Sequence, residues 1–270
     1  MATKKTTTKK SATAKASKPA AKKSATAKAA APKKAAAKKA PAKAVKKPAA
    51  DGTAGDVHEK VQLWEDGPYW ATTNIGAEKP EDLGYYFWWG DAIGYKREKD
   101  KWAAVDGSSA DFSFEEGNTP TYGGEDDYDD DGPFLEHGGW ITDEANLVPE
   151  HDAAHVHWGR GWWMPSEEEM HDLVDKCVWT WENVNGVNGY VVRGKGDYAS
   201  ASIFLPSAGY AYDNSIYDVG SAGSYWSHLA RLGNAHNSSW ALDFDSGRYN
   251  MGCIDRDNGL PVRPVWYPTM

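Results

Sequence analysis

Three groups of residues have types and spacings that could support chemistry. Glu125 to Gly132 contains Asp127-x-Asp129-x-Asp131-Gly132, the first half of a calcium loop. Carboxylates set this close repel one another, and a cation would relieve them. The twelfth position of such a loop is Gly138, which has no carboxylate, and Glu136 falls two positions early. A solvated acidic loop is therefore the expectation, with Asp127, Asp129 and Asp131 the ligands that a calcium ion would use. No other cofactor is expected. His151, His155 and His157 are close enough in the chain to suggest zinc, but no cysteine or second carboxylate stands at metal-ligand spacing beside them. Hydrogen bonding to backbone is the plainer reading.

The third group is a recognition surface. Between Tyr225 and Asp257 the chain carries His228, Arg231, Asn234, His236, Asn237, Arg248, Tyr249, Asn250, Asp255, Arg256 and Asp257, interspersed with Trp226, Trp240 and Phe244. The apolar residues can anchor strands while the polar and aromatic ones project from loops. That mixture gives large contact area at low entropic cost together with adaptable hydrogen bonding. The expected ligand is a protein or a glycan. Catalysis is not expected: there is no nucleophile elbow, phosphate loop or HExxH, and no carboxylate pair stands out as glycosidase-like.

These groups sit in a chain whose charge is divided sharply. Residues 1–50 hold 16 lysines and no acidic residue. Of 30 basic and 39 acidic side chains, the remaining 220 residues thus carry 14 and 39, a formal −25. All 14 Trp, 14 Tyr and 6 Phe also follow residue 50, so only the second part can build a core. Pro19, Pro32, Pro41 and Pro48 interrupt the lysine-alanine segment, and like charges repel along any helix it forms. Residues 1–55 are read as a disordered basic tail and hinge, and 56–270 as a single domain. Lys22, Lys23, Lys33, Lys34, Lys38, Lys39, Lys46 and Lys47 are the paired cations expected to engage nucleic acid or another polyanion through counterion release. A solubilising linker and electrostatic docking on the acidic body are the alternatives. Two cysteines, Cys177 and Cys253, are too few for a disulfide scaffold and read as reduced small hydrophobes. No stretch approaches the length of a membrane span, so no membrane association is expected. The N-terminus leads into no apolar signal region, which predicts a cytoplasmic location.

The elements that must position these residues are short. Residues 61–64 and 69–75 alternate like strands, 85–90 form a third aromatic run, and 95–150 read as a long irregular loop region. Ser166 with Glu169 forms a capping box, and Met170, Leu173, Val174 and Cys177 make one apolar stripe, which predicts a core-packed helix. Strands are expected at 188–193, 201–205, 224–227, 238–244 and 261–265, with turns at Asn185-Gly186 and Asn188-Gly189. Trp70, Trp88, Trp163, Trp226 and Trp240 are expected to be buried, each costing roughly 3–5 kcal/mol on change to alanine.

Several motifs, in order, resemble a known family. They are residues 70–77 (Trp-Ala-Thr-Thr-Asn-Ile-Gly-Ala), 84–90 (Gly-Tyr-Tyr-Phe-Trp-Trp-Gly), 152–156, 161–166 (Gly-Trp-Trp-Met-Pro-Ser), 186–190, 203–210, 223–227 and 259–265. Together they resemble the Fibrobacter succinogenes major paralogous domain family over about residues 61–266. The resemblance implies an α+β, C-type-lectin-like or formylglycine-generating-enzyme-like fold, with short strands, one clear helix and long loops. Members are bacterial, many are exported, and some relatives are variable proteins of diversity-generating retroelements. The enzymatic branch of the fold uses a close cysteine pair to hold copper, and Cys177 and Cys253 lack that arrangement. The alternatives left open are a nucleoid-associated DNA-binding protein acting mainly through its tail, and an enzyme on the same fold.

Overall fold

The computed structural model describes residues 57–115, 118–119, 135–136, 138–159, 161–232 and 237–268. Asp127, Asp129 and Asp131, Asn234 and His236, and the eight paired lysines from Lys22 to Lys47 lie outside the described residues. The described body is α+β and mostly strand.

Its first half contains β1 (Lys60–Gln62), β2 (Tyr69–Ala71), β3 (Tyr95–Glu98), β4 (Lys101–Ala104), helix α1 (Ala153–Trp158), β5 (Trp162–Trp163) and helix α2 (Glu167–Lys176). There follow β6 (Val178–Val184), β7 (Val187–Arg193), β8 (Ser202–Pro206), β9 (Tyr210–Tyr212) and β10 (Ser215–Tyr217). The last elements are β11 (Ala222–Ala230), β12 (Ser238–Asp245), β13 (Arg248–Asp255) and β14 (Val265–Trp266). The first and last strands share one sheet of order β1-β2-β14-β5. Two three-stranded antiparallel sheets, β6-β7-β8 and β11-β12-β13, and two hairpins, β3-β4 and β9-β10, complete the described set. Among the described residues no helix is long and apolar enough to cross a membrane.

Helix α2 forms where its local signals place it. The Glu169 N–H donates to Ser166 Oγ at 3.1 Å and the Ser166 N–H to Glu169 Oε2 at 2.7 Å, so the box closes in both directions. Met170, Leu173 and Cys177 are buried against Leu63, Trp70, Tyr190, Leu242 and Phe244. A second cluster gathers Phe87, Trp89, Trp226, Leu260 and Val262 beside α1, and a third gathers Tyr86, Trp88, Trp102 and Phe114. Trp70, Trp88 and Trp226 are buried as expected, but Trp163 and Trp240 are only half-buried; Trp89, Trp102 and Trp162 fill the interior instead. Both cysteines are free, Cys177 buried and Cys253 partly so.

Other elements differ from the sequence reading. Residues 95–150 are not wholly irregular, because β3 and β4 pair there and bury Tyr95, Trp102 and Ala104. Their outward residues are almost all charged, and that density masks the alternation. The run 85–90 forms isolated bridges from Tyr86 to Tyr95 and from Phe87 to Leu260, not a strand. Asn185 and Gly186, at φ 50° and 92°, make the expected two-residue turn between β6 and β7. Asn188 and Gly189 do not turn. They lie inside β7, where a Cβ on residue 189 would collide with the Leu205 carbonyl oxygen.

One buried cation ties these pieces together. Arg263 is fully buried, and its Nε donates to Asn74 Oδ1 at 2.8 Å. One terminal nitrogen reaches the carbonyl oxygens of Ala71 and Thr72 at 3.2 and 3.3 Å, and the other reaches that of Phe204 at 3.0 Å. The guanidinium thus joins β2, the turn after it and β8. Burial lowers its pKa to about 10, so it stays charged at neutral pH.

Asp91 and Asp152 are among the buried carboxylates. Asp91 accepts from the N–H groups of Ile93 and Gly94, and Asp152 caps α1 by accepting from His155 while also holding the Met164 N–H. Burial pushes both up to about 7, against the backbone donors that favour the charged form. Between about pH 4 and 7 the folded chain therefore keeps protons that the unfolded chain has released. Each group then takes up to about 1.4 kcal/mol from stability for every pH unit gained. Partly buried His58, His151, His157 and His228 are lowered and act in the opposite sense, so the comparison must be with a variant that retains them. Asp152→Asn keeps a good cap, and its melting-temperature deficit should be smaller at pH 8 than at pH 5. A deficit that widens with pH would mean that the backbone donors dominate and the carboxylate is ionised.

Candidate ligand-binding surface

The residues expected to form one surface are split by the β11-β12-β13 sheet. Strand β13 carries Arg248 at one end and Asp255 at the other, roughly 23 Å apart at about 3.3 Å per residue. The stems at Arg231, just past β11, and Asn237, just before β12, lie with Asp255 at one end. Arg248 and Asn250 lie toward the other. Tyr249 projects to the opposite face of the strand and stacks on Trp179 at 4.5 Å with an interplanar angle of 8°, a packing role rather than a reading one.

At the Asp255 end, four of the expected residues face inward. Arg256 is 0% exposed, and Asn237 and Asp257 are buried with it. His228 is largely buried, and burial lowers its pKa to about 4, which keeps it neutral. These are corrections: polarity suggested a surface, whereas the side chains build its foundation. The guanidinium of Arg256 donates from Nε to Ser239 Oγ and from a terminal nitrogen to the Arg231 carbonyl, both at 3.0 Å, and lies 5.3 Å from the Trp89 ring. The Arg256 N–H donates to the Asn237 carbonyl at 2.7 Å, and the Arg231 N–H to that of Ser238 at 3.3 Å. The two stems are thus clamped to each other and to β13. Above the clamp, Arg231 and Asp255 are exposed, with Arg231 5.9 Å from the ring of half-buried Trp240.

The other end of the sheet opens into a cleft of about 410 Å³. Its floor is one face of the sheet, with Ser224 opposite Asp243 and Ala222 opposite Asp245 on β11 and β12, and Arg248 opposite Asp245 on β13. Its wall is Tyr210 with Asp218 and Ser221. Ser224 Oγ donates to Asp243 Oδ1 at 2.9 Å, and Arg248 Nε to Asp245 Oδ2 at 2.9 Å. Of this group only Arg248 was anticipated from the sequence. The signal that could have found it is Asp243-x-Asp245 followed by a Ser-Gly turn and Arg248, a spacing that places all three on one face.

The histidines expected to be unsuited to zinc point apart. His151 Nδ1 lies 3.0 Å from the Gly90 carbonyl, His157 Nε2 lies 3.1 Å from that of Ile93, and His155 stacks on Trp163. Among the described residues no three His, Cys, Asp or Glu side chains come together as a metal-binding group. No family model, curated protein or solved structure matches the chain, so the resemblance carried by its ordered motifs stands on those residues alone.

Proposed function

We propose that the body is a non-catalytic ligand-binding module on a C-type-lectin-like scaffold, joined to a polycationic tail that holds nucleic acid or another polyanion. Its recognition surface is formed by Arg231, Asp255 and half-buried Trp240. The supporting observation is the burial of Arg256 beneath that surface. A buried guanidinium fixes the stems from below, so exposed side chains can vary without loss of the fold. The mostly-strand architecture with two short capped helices and long connections supports the scaffold. A surface built this way suits a variable protein of a diversity-generating retroelement. A reverse-transcriptase gene and a near-repeat of the 3′ coding end beside the gene would support that origin.

Arg231→Ala and Asp255→Ala should leave the melting temperature within about 2 °C of the parent, because neither side chain carries the fold. On protein and glycan arrays probed with the full chain, at least one ligand bound by the parent should be lost in both variants. Retention of every ligand by both variants would move the recognition surface elsewhere on the body.

A further inference from the structure

We propose that the cleft at the β12–β13 turn, continued by the outer face of the β9-β10 hairpin, binds a neutral glycan chain at a site separate from the Arg231–Asp255 surface. The hairpin supplies an aromatic strip. Tyr210 and Tyr212 alternate with buried Ala211, and Tyr217 pairs directly opposite Tyr210, so the three tyrosines share one face. Ala211 and Ile216 turn to the other face and pack against the core around Phe114. Tyr212 and Tyr217 are 46% and 43% exposed, and the Tyr210 and Tyr217 rings stack at 5.4 Å. Tyr210 also lines the cleft, which makes strip and cleft continuous.

The cleft supplies complementary polar groups that are already positioned. Asp243 is pinned by Ser224, and Asp245 by Arg248 and the N–H groups of Gly247 and Arg248. The second Arg248 nitrogen lies 3.8 Å from Asp243 Oδ2. Each carboxylate retains lone pairs beyond those occupied, and the guanidinium presents several N–H donors. Carboxylate beside guanidinium suits adjacent hydroxyls, which donate to the one and accept from the other. Apolar C–H faces of the same sugar rings suit the tyrosines. Three carboxylates, Asp218, Asp243 and Asp245, against one cation disfavour phosphate or uronate. Arg248, lodged between two of those carboxylates, disfavours a cationic ligand. A neutral polyhydroxyl chain remains, and the reach of the strip beyond the cleft to Tyr212 favours an oligomer over a single sugar.

Titration calorimetry of the full chain with neutral hexasaccharides of glucose, xylose, mannose and N-acetylglucosamine tests this. At least one should bind with a Kd tighter than about 1 mM. Asp243→Ala and Tyr217→Ala should each weaken it about tenfold with little change in melting temperature, and polygalacturonate should not compete. Arg231→Ala should leave the affinity unchanged. Absence of binding by all four, or binding that survives both cleft variants, would overturn the proposal. Loss of glycan binding in Arg231→Ala with the cleft variants intact would overturn it too, while leaving the module itself standing.

Discussion

Arg263→Met should lower folding stability by about 3–5 kcal/mol and the melting temperature by roughly 6–20 °C. Methionine replaces the volume of the stem, so the loss is not one of packing. What disappears is the donor set: Asn74 Oδ1 and the carbonyls of Ala71, Thr72 and Phe204 lose the charged partner that compensates them in the interior. Lysine at 263 should recover little, because a single ammonium cannot span the three directions that the planar guanidinium fills. Arg248→Met is the control. It sits on the exposed end of a strand and should change stability by no more than about 0.5 kcal/mol. Chemical denaturation of the three variants gives the comparison. A loss at Arg263 below about 1 kcal/mol would mean that water takes over those acceptors.

Deleting residues 1–55 should abolish binding to a 30-base-pair DNA duplex in an electrophoretic shift that the full chain produces. Sixteen lysines precede residue 51, and the rest of the chain carries a formal −25 that repels phosphate. If the eight paired lysines from Lys22 to Lys47 each neutralise a phosphate, affinity of the full chain should fall by about 10³–10⁵ between 50 and 200 mM salt. Changing the eight to glutamine should flatten that slope. Undiminished affinity in the tail-less body would refute the assignment.

What the sequence disclosed was local. The α2 box and stripe, and the Asn185-Gly186 turn, are complete within one or two turns of chain, and all appear where their residues place them. Strand β13 shows why other elements stayed hidden. Tyr249, Met251 and Cys253 alternate with Arg248, Asn250 and Gly252, but the apolar half finds partners on β6, β7 and α2, distant in the chain. Arg256 and Arg263 look like surface cations until the carbonyls around them are placed. The cleft draws on three separate stretches around Tyr210, Ser224 and Asp243, so its residues become neighbours only through strand pairing.

The sheet that joins the body's first and last strands sets a timetable for synthesis. Trp70 on β2 pairs with Val265 on β14, roughly 195 residues later, so a growing polypeptide cannot complete this sheet early. At ribosomal speeds of about 5–20 residues per second, that edge of β2 waits about 10–40 s for its neighbour. Nascent chains halted before Val265 therefore leave a tryptophan-bearing strand edge open to wrong pairing, and truncated products should accumulate in aggregates or on chaperones while the finished chain does not.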